Sequence, residues 1–438
     1  MKIEFDVVVV GAGSSGLSCA YVLAKNGLKV AVVEKGEYPG SKNVMGGVLY
    51  VHPLKEIMPD FLEKAANSKA LERNVIEQNL WLLGNEGVIK IGHRNVEWKE
   101  NPNAFTVLRA NFDRWFAQEV EKAGALIIPK TKVEDFLRNE KGEIAGVVTS
   151  RPKGEIHSKA VVIAEGVNPI LTMKAGLRKE DLKPHMVAVA VKEVISVPEE
   201  VVNRVFGVEG NDGATIELLG SWSEGMFGMG FLYANRSSVS LGCGVLLEDL
   251  RKKKIKPYQL LENLKNHPVI SDMLGEYRNN TMEYLAHLIP EGGYYAMPKV
   301  YGDRVLVCGD AAMLVNSIHR EGSNHAITSG RLAAETLLEA FEKGDFSEKT
   351  LKNYYLRLKE SFILKDLEKY KDLMPTMEKN HQFVEIYPDL ANDALKRFLQ
   401  VDGTPKWDVQ KQIADMVLSR RSLIGISLDL LRFWRAVR

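Results

Sequence analysis

The stretch "FDVVVVGAGSSGLSCAYVLAKNGLKVAVVE", residues 5–34, restricts the fold of this chain more than any other. Val7 to Val10 form a continuous β-branched run, the pattern of a parallel strand covered on both faces. Gly11, Gly13 and Gly16 come at once after it, then a helical stretch through Ala20 and Leu23 to Gly27, then a second strand, "KVAVVE". In such a βαβ unit the glycines of G-x-G-x-x-G give a tight turn. They also bring main chain close to a pyrophosphate and pack the helix closely on the strand. Ala12, Ser14 and Ser15 lie between these glycines, where the helix start turns free N–H groups and a positive dipole end toward phosphates. Glu34, beside Lys35, ends the second strand, where a carboxylate accepts bonds from ribose hydroxyls. An acid at that place favours a free 2′-hydroxyl, hence FAD or NAD over NADP.

Composition agrees with a soluble α/β chain. Of 438 residues, 45% are hydrophobic and 26% charged, ordinary for two or three globular domains. A net charge of +1 offers no bulk field for nucleic acid, which is not expected as a partner. Cys19, Cys243 and Cys308 sit far apart in apolar or glycine-rich runs, so buried structural thiols are expected. The lack of a disulfide framework points to a reducing, cytoplasmic setting. The acids of "MKIEFDVVVVG" argue against a secretory signal, and no apolar run is long enough to span a bilayer.

The choice between FAD and NAD turns on the chain beyond the second strand. A dinucleotide dehydrogenase would continue into further βα units. This chain instead enters "YPGSKNVMGGVLY" (38–50), whose Met45, Gly46 and Gly47 suit main chain lying flat against a planar ring. Two hairpins turn near Lys141-Gly142 and Lys153-Gly154, and the second ends in an apolar strand closing on Ala164-Glu165-Gly166. Far downstream, "RVLVCGD" is another such strand, ending in Gly309-Asp310. Parallel strands bind ligands beyond their carboxyl ends, so Asp310 is expected at the same crevice as Gly11. An acid there can bond the hydroxyls of a ribityl chain, which FAD has and NAD lacks. The helix beginning near Gly322, Ser323 and Asn324 would aim its N-terminal dipole at the reducible ring.

Taken together, "GAGSSG", "PGSKNVMGG", "GFLY" (230–233), "PEGGYYAMPK" (290–299), "VCGDAAM" and "HREGSNHAITSGRLAAE" resemble one family. The layout is similar to the glutathione-reductase-like FAD superfamily, and within it to the electron transfer flavoprotein–quinone oxidoreductases in their short, FixC-type form. The resemblance implies a Rossmann FAD-binding domain in two pieces, 1–178 and 299–340. An α+β quinone or substrate domain, 179–298, is inserted between them, and a helical region, 341–438, comes last. It implies that Arg109, in "LRANFDRWF", reaches the FAD phosphates or ribose and that Val133 meets the adenine through its backbone. Long forms of the family hold an iron–sulfur cluster on four cysteines near the C-terminus. Here residues 341–438 contain none. The resemblance then implies a separate small ferredoxin-like iron–sulfur subunit, a two-subunit electron transfer flavoprotein as donor, and a membrane quinone as acceptor. Assemblies of this type can also drive a low-potential ferredoxin by electron bifurcation.

In the middle region "HMVAVAVKEVISV", "ATIELLGSW", "GMGFLYAN" and "SSVSLGCGVLL" read as strands, the last two as a hairpin turning at Asn235-Arg236. Gly228, Phe231 and Tyr233 are candidates for a quinone slot, and serve equally well as sheet core; the family resemblance implies Gly242 and Gly244, in "SLGCGV", beside them. Tyr233, His287 and His319 are candidate proton donors, although a lone histidine is more often a core residue. No catalytic nucleophile or acid–base pair is required, because the flavin carries the chemistry. The end, "SRRSLIGISLDLLRFWRAVR" (419–438), carries five arginines and a single acid, Asp429, with Leu423, Ile426, Leu430, Phe433 and Val437 at helical steps. Such a helix suits peripheral contact with the inner face of the cell membrane, or docking on a partner subunit or on its own domain. Two rival functions remain at this level: a geranylgeranyl-reductase-like enzyme saturating prenyl double bonds, and a structural subunit whose FAD never turns over.

Overall fold

The computed structural model describes residues 4–43, 46–66, 68–316 and 321–438. They divide into two compact units. The first comprises Met1–Glu72, Asn103–Val187 and Leu288–Lys369, and the second Arg73–Pro102, Ala188–His287 and Tyr370–Arg438.

The first unit is built on a five-stranded parallel sheet, in the order Leu126–Ile128, Val30–Val33, Glu4–Val10, Glu155–Ile163, Val305–Val307. Val7, Val8 and Val9 are fully buried, as a strand with a helix on one face and further chain on the other must be. The helix Ser14–Lys25 returns the chain between the first two strands, and Gly27 (φ +82°) ends it. Both expected hairpins are present: Val133–Arg138 pairs antiparallel with Ile144–Thr149, which pairs with Glu155–Ile163. Val48–Tyr50 pairs with Ala104–Thr106 in the same unit. The long helix Gly322–Lys343 packs along Ser14–Lys25. A Cβ on Gly330 would overlap the Ser15 carbonyl oxygen, so backbone meets backbone there. Cys19 and Cys308 lie wholly buried in this core as free thiols. Burial pushes the Cys308 thiol up to about 12, which leaves it an inert packing group.

The second unit is a mixed sheet. Its order runs Thr281–Pro290, Val187–Ser196, Ser238–Leu246, Gly228–Ala234, Asp212–Gly220, Asn74–Leu83, and Val88–Arg94 pairs with the last. The Asn235-Arg236 hairpin forms as read, closed by Asn235 N–H donating to the Ser238 carbonyl at 3.0 Å. Asn74–Leu83 runs parallel to Asp212–Gly220, a pairing between segments more than a hundred positions apart. Arg73, fully buried just before that strand, donates to the carbonyls of Asn235 (2.8 Å) and Asp212 (3.1 Å) and to Asn203 Oδ1 (2.7 Å). A buried guanidinium is tolerated only when its donors are met in this way. Helices of the C-terminal region complete the unit; Asn392 Nδ2 donates to the Leu82 carbonyl at 2.9 Å.

Candidate functional site

Four strands of the parallel sheet end at one edge, in register: Val10 opposite Val33 and Ile163, and Ile163 opposite Val307. The next residues are therefore neighbours: Gly11, Glu34, Ala164 and the Cys308–Asp310 segment. Main chain ties them together, with Gly11 N–H on the Val33 carbonyl (2.9 Å), Ala164 N–H on Val10 (2.8 Å) and Cys308 N–H on Ile163 (3.0 Å). Gly11 (φ +106°) lies so close to Ala164 that a Cβ would overlap the Ala164 carbonyl oxygen, and a Cβ on Gly16 would overlap the Gly11 carbonyl. Gly13 is different. Among the described residues, a Cβ there would meet nothing nearer than Asn43 Nδ2 at 3.8 Å. Packing of these residues does not need a glycine at 13; a ligand approaching the turn would.

Gly13 is also the N-cap of Ser14–Lys25 and makes no side-chain cap bond. Neither does the Glu321 side chain, which precedes Gly322–Lys343. Both helices thus begin in one unit without a bond from the N-cap side chain, an arrangement suited to anionic or electron-rich groups. Glu34 accepts the Ala12 N–H at 2.9 Å and the Gly36 N–H at 2.5 Å, so it braces the glycine turn while half-exposed. Lys35 beside it is exposed, and Val133 is buried at the start of its strand.

Arg109 opens the helix Arg109–Lys122, and its Nη2 donates to Ser14 Oγ at 3.1 Å. Asp113, one turn on and fully buried, accepts from Arg109 Nε (2.9 Å) and Nη2 (2.8 Å), and Asn43 Nδ2 also donates to it. A bidentate pair of this kind fixes a guanidinium in place. A Cβ built on Gly46 would stand 2.5 Å from Ser323 Oγ and 2.9 Å from Arg109 Nη1. Gly46, Arg109 and Ser323 therefore converge, although they come from three distant segments. Asp113, Asn43 and Gly330 were not among the residues the sequence singled out. The one local signal for Asp113 is its i, i+4 spacing from Arg109 on a helix.

At the other end, Gly309 (φ +64°) packs against Ser15, and its N–H donates to Ser329 Oγ at 3.0 Å. Asp310 lies in the short turn Gly309–Ala312 rather than capping the long helix. Burial pushes its carboxyl up to about 6, against the opposing pull of Arg109. Ser323 and Asn324 are buried in the first turn of the long helix, and Asn324 Oδ1 has no hydrogen-bond partner among the described residues. An orphaned buried acceptor in the first turn of a helix fits a polar ligand. Gly166 (φ +79°) has open space around it among the described residues, and Glu165 turns away to accept the Leu171 and Thr172 N–H groups, each at 2.8 Å. Met45 and His319 lie outside the described residues.

The quinone candidates gather in the second unit, on the hairpin Gly228–Leu246. Phe231 faces Gly242 in register, and a Cβ on Gly242 would overlap the Phe231 ring. Phe231 stacks on Tyr233 with ring centres 4.7 Å apart, and both are buried. Gly228 faces Val245, and Gly244 packs on Ala190. In the first unit, Glu291 of "PEGGYYAMPK" was not singled out, yet burial pushes its carboxyl up to about 7.

Known proteins bear on this geometry directly. The description "ETF-QO/FixC family C-terminal domain" matches residues 373–438, and "Thi4 family" matches residues 2–63. Protein FixC of Azorhizobium caulinodans is 44% identical over 438 residues, covering 99% of each chain. Protein FixC of Azotobacter vinelandii is 43% identical over 440 residues, covering all of both. The chain belongs to the FixC family. The short-form resemblance read from the motifs therefore holds along the whole FixC-type sequence. A geranylgeranyl bacteriochlorophyll reductase-like protein from Thermoplasma acidophilum superposes with a TM-score of 0.73 over 98% of this chain and 100% of that one, at 20% identity. That likeness shows the fold: a flavoprotein Rossmann unit, a mixed sheet and a helical C-terminal region. This FixC-family chain is an FAD-dependent electron-transfer oxidoreductase of the ETF-QO type. The FAD supplies the reversible redox chemistry when bound, and the open Gly13, the two helix N-termini and the orphaned Asn324 acceptor fit it. Among the described residues, no helix is long and apolar enough to cross a membrane.

Proposed function

We propose that this FixC-family chain accepts electrons from a two-subunit electron transfer flavoprotein and passes them to a membrane quinone. Full-length identity to proteins called FixC, together with the ETF-QO/FixC match at 373–438, carries this reading. Gly11 to Gly16 would hold the pyrophosphate, with Glu34, Lys35 and Val133 toward the adenosine. Arg109, held by Asp113, would reach the phosphates or ribose beside Gly46, Gly47, Ala164 and Gly166. Gly309, Asp310, Gly322, Ser323 and Asn324 would serve the ribityl chain and the ring. Gly228, Phe231, Tyr233, Gly242 and Gly244 are the candidates for quinone contact.

The three cysteines are buried free thiols; by the FixC-type resemblance, an iron–sulfur group in the pathway would belong to a separate small ferredoxin-like subunit, within a complex that could also bifurcate. The C-terminal helix Leu423–Val437 exposes Leu423, Ile424, Leu430 and Trp434 to solvent, each by half or more. Its one acid is turned inward: Asp429 is buried, accepting from Arg421, Gln382 and Tyr387 at 2.8–2.9 Å. An exposed apolar face with arginines at its ends supports peripheral attachment to the inner face of the cell membrane.

The rival reading, saturation of prenyl double bonds, draws on the Thermoplasma likeness, which at 20% identity speaks for fold alone. Anaerobic reduction of the purified chain by reduced electron transfer flavoprotein, followed by a short-chain quinone, separates the two. Reoxidation of the flavin on quinone addition is expected. A flavin that stays reduced with quinone, yet reoxidises with a geranylgeranyl substrate, would overturn the proposal.

A further inference from the structure

A second constellation lies where the long helix of the first unit begins. Glu321 is its N-cap, and His325 stands one turn later on the same face. Asp366 belongs to the helix Phe362–Lys369. One ligand-type atom from each of the three lies within 4.8 Å of the other two.

The histidine makes this more than an acidic cluster. His325 is 0% exposed, and neither ring nitrogen has a hydrogen-bond partner among the described residues. Its Nε2 stands 3.7 Å from Glu321 Oε2, too long for a hydrogen bond. Leaving both nitrogens of a buried imidazole unmet carries a desolvation cost that native folds rarely bear without a reason. Its ring is held against Phe362, with centres 5.3 Å apart, on the helix that supplies Asp366. Asn316 Nδ2 donates to Glu321 Oε2 at 3.0 Å and steadies that carboxylate. Glu321 and Asp366 are both partly buried, so two acids share a partly dry space.

We propose that Glu321, His325 and Asp366 form a binding site for one first-row divalent cation. One imidazole nitrogen with two carboxylate oxygens is a borderline donor set that suits Zn²⁺, Fe²⁺ or Mn²⁺ better than the hard, all-oxygen preference of Mg²⁺ and Ca²⁺. Ligand atoms about 2.0–2.2 Å from a tetrahedral ion lie about 3.4 Å apart. The cluster therefore needs to close by no more than about 1.5 Å, which side-chain rotation supplies. Three protein ligands leave at least one position for water. The ion would tie the start of the helix bearing Ser323 and Asn324 to the helix Phe362–Lys369, and so hold that end of the crevice in place. The site is independent of the proposed electron donor and acceptor.

The test uses the full FAD-loaded chain, dialysed against chelator and titrated with ZnCl₂ against a chromophoric competitor, with thermal unfolding alongside. One Zn²⁺ per chain is expected, with a raised Tm. Asp366→Asn and His325→Gln should each weaken binding by roughly tenfold or more and abolish the Zn²⁺-dependent Tm rise. MgCl₂ should leave Tm unchanged. Asp366 is only partly buried, so Asp366→Asn serves if His325→Gln fails to fold. A wild-type chain that takes up no zinc, or an Asp366→Asn chain that binds it as tightly as wild type, would overturn the site.

Discussion

At the scale of single residues, each glycine of the fingerprint has a different task. Gly11 and Gly16 are demanded by the chain's own backbone, since a side chain at either would strike a carbonyl oxygen. Gly13 is demanded by nothing among the described residues. Sequence alone cannot separate them, because the strands that crowd Gly11 come from residues far away. Gly330 was illegible for the same reason: its partner, the Ser15 carbonyl, is fixed only by tertiary packing, whereas Asp113 showed only its i, i+4 spacing from Arg109. Glu291 ties stability to pH. Its carboxyl is raised from an ordinary 4.5 to about 7 by burial, so the folded chain holds this proton more tightly than the unfolded one. The resulting stability is greatest below about 4.5 and falls as pH rises toward 7, after which it levels. Thermal unfolding of Glu291→Gln should show a smaller drop in Tm between pH 5 and pH 8 than wild type, because its side chain does not ionise. An unchanged drop would remove Glu291 from the groups that set that slope.

At the scale of elements, local signals specify the hairpins and the first βαβ unit. Lys-Gly turns and β-branched runs act within a few residues, and Val133–Arg138, Ile144–Thr149 and Gly228–Leu246 fold as those signals direct. The parallel pairing of Asn74–Leu83 with Asp212–Gly220 has no such signal, since parallel strands meet through long connections that leave no local trace. The terminal helix was legible as amphipathic, but its orientation was not. Asp429, gripped by Arg421 and Tyr387, points inward, while Leu423, Ile424, Leu430 and Trp434 lie outward. Burying a large apolar side chain in the interface is worth roughly 1.5–3 kcal/mol. Leu430→Glu with Trp434→Glu should therefore sharply reduce co-sedimentation with anionic lipid vesicles while leaving Tm in buffer near wild type. Equal sedimentation of both proteins would contradict a lipid-facing role for the helix.

At the scale of the whole molecule, the proposed electron transfer by this FixC-family chain rests on one dinucleotide gripped by segments some three hundred positions apart. The Gly11–Gly16 turn and the segment beginning at Gly309 meet at a single sheet edge, and the FAD reading requires each to serve a different end of the ligand. Half-ligands separate the ends. The most direct measurement is calorimetric binding of ADP and of riboflavin to the apoprotein, for wild type, Gly13→Val and Asp310→Ala. Gly13→Val should lose ADP and keep riboflavin; Asp310→Ala should keep ADP and lose riboflavin. If Asp310→Ala weakened ADP as much as Gly13→Val does, or left riboflavin untouched, the two segments would not hold opposite ends of one FAD.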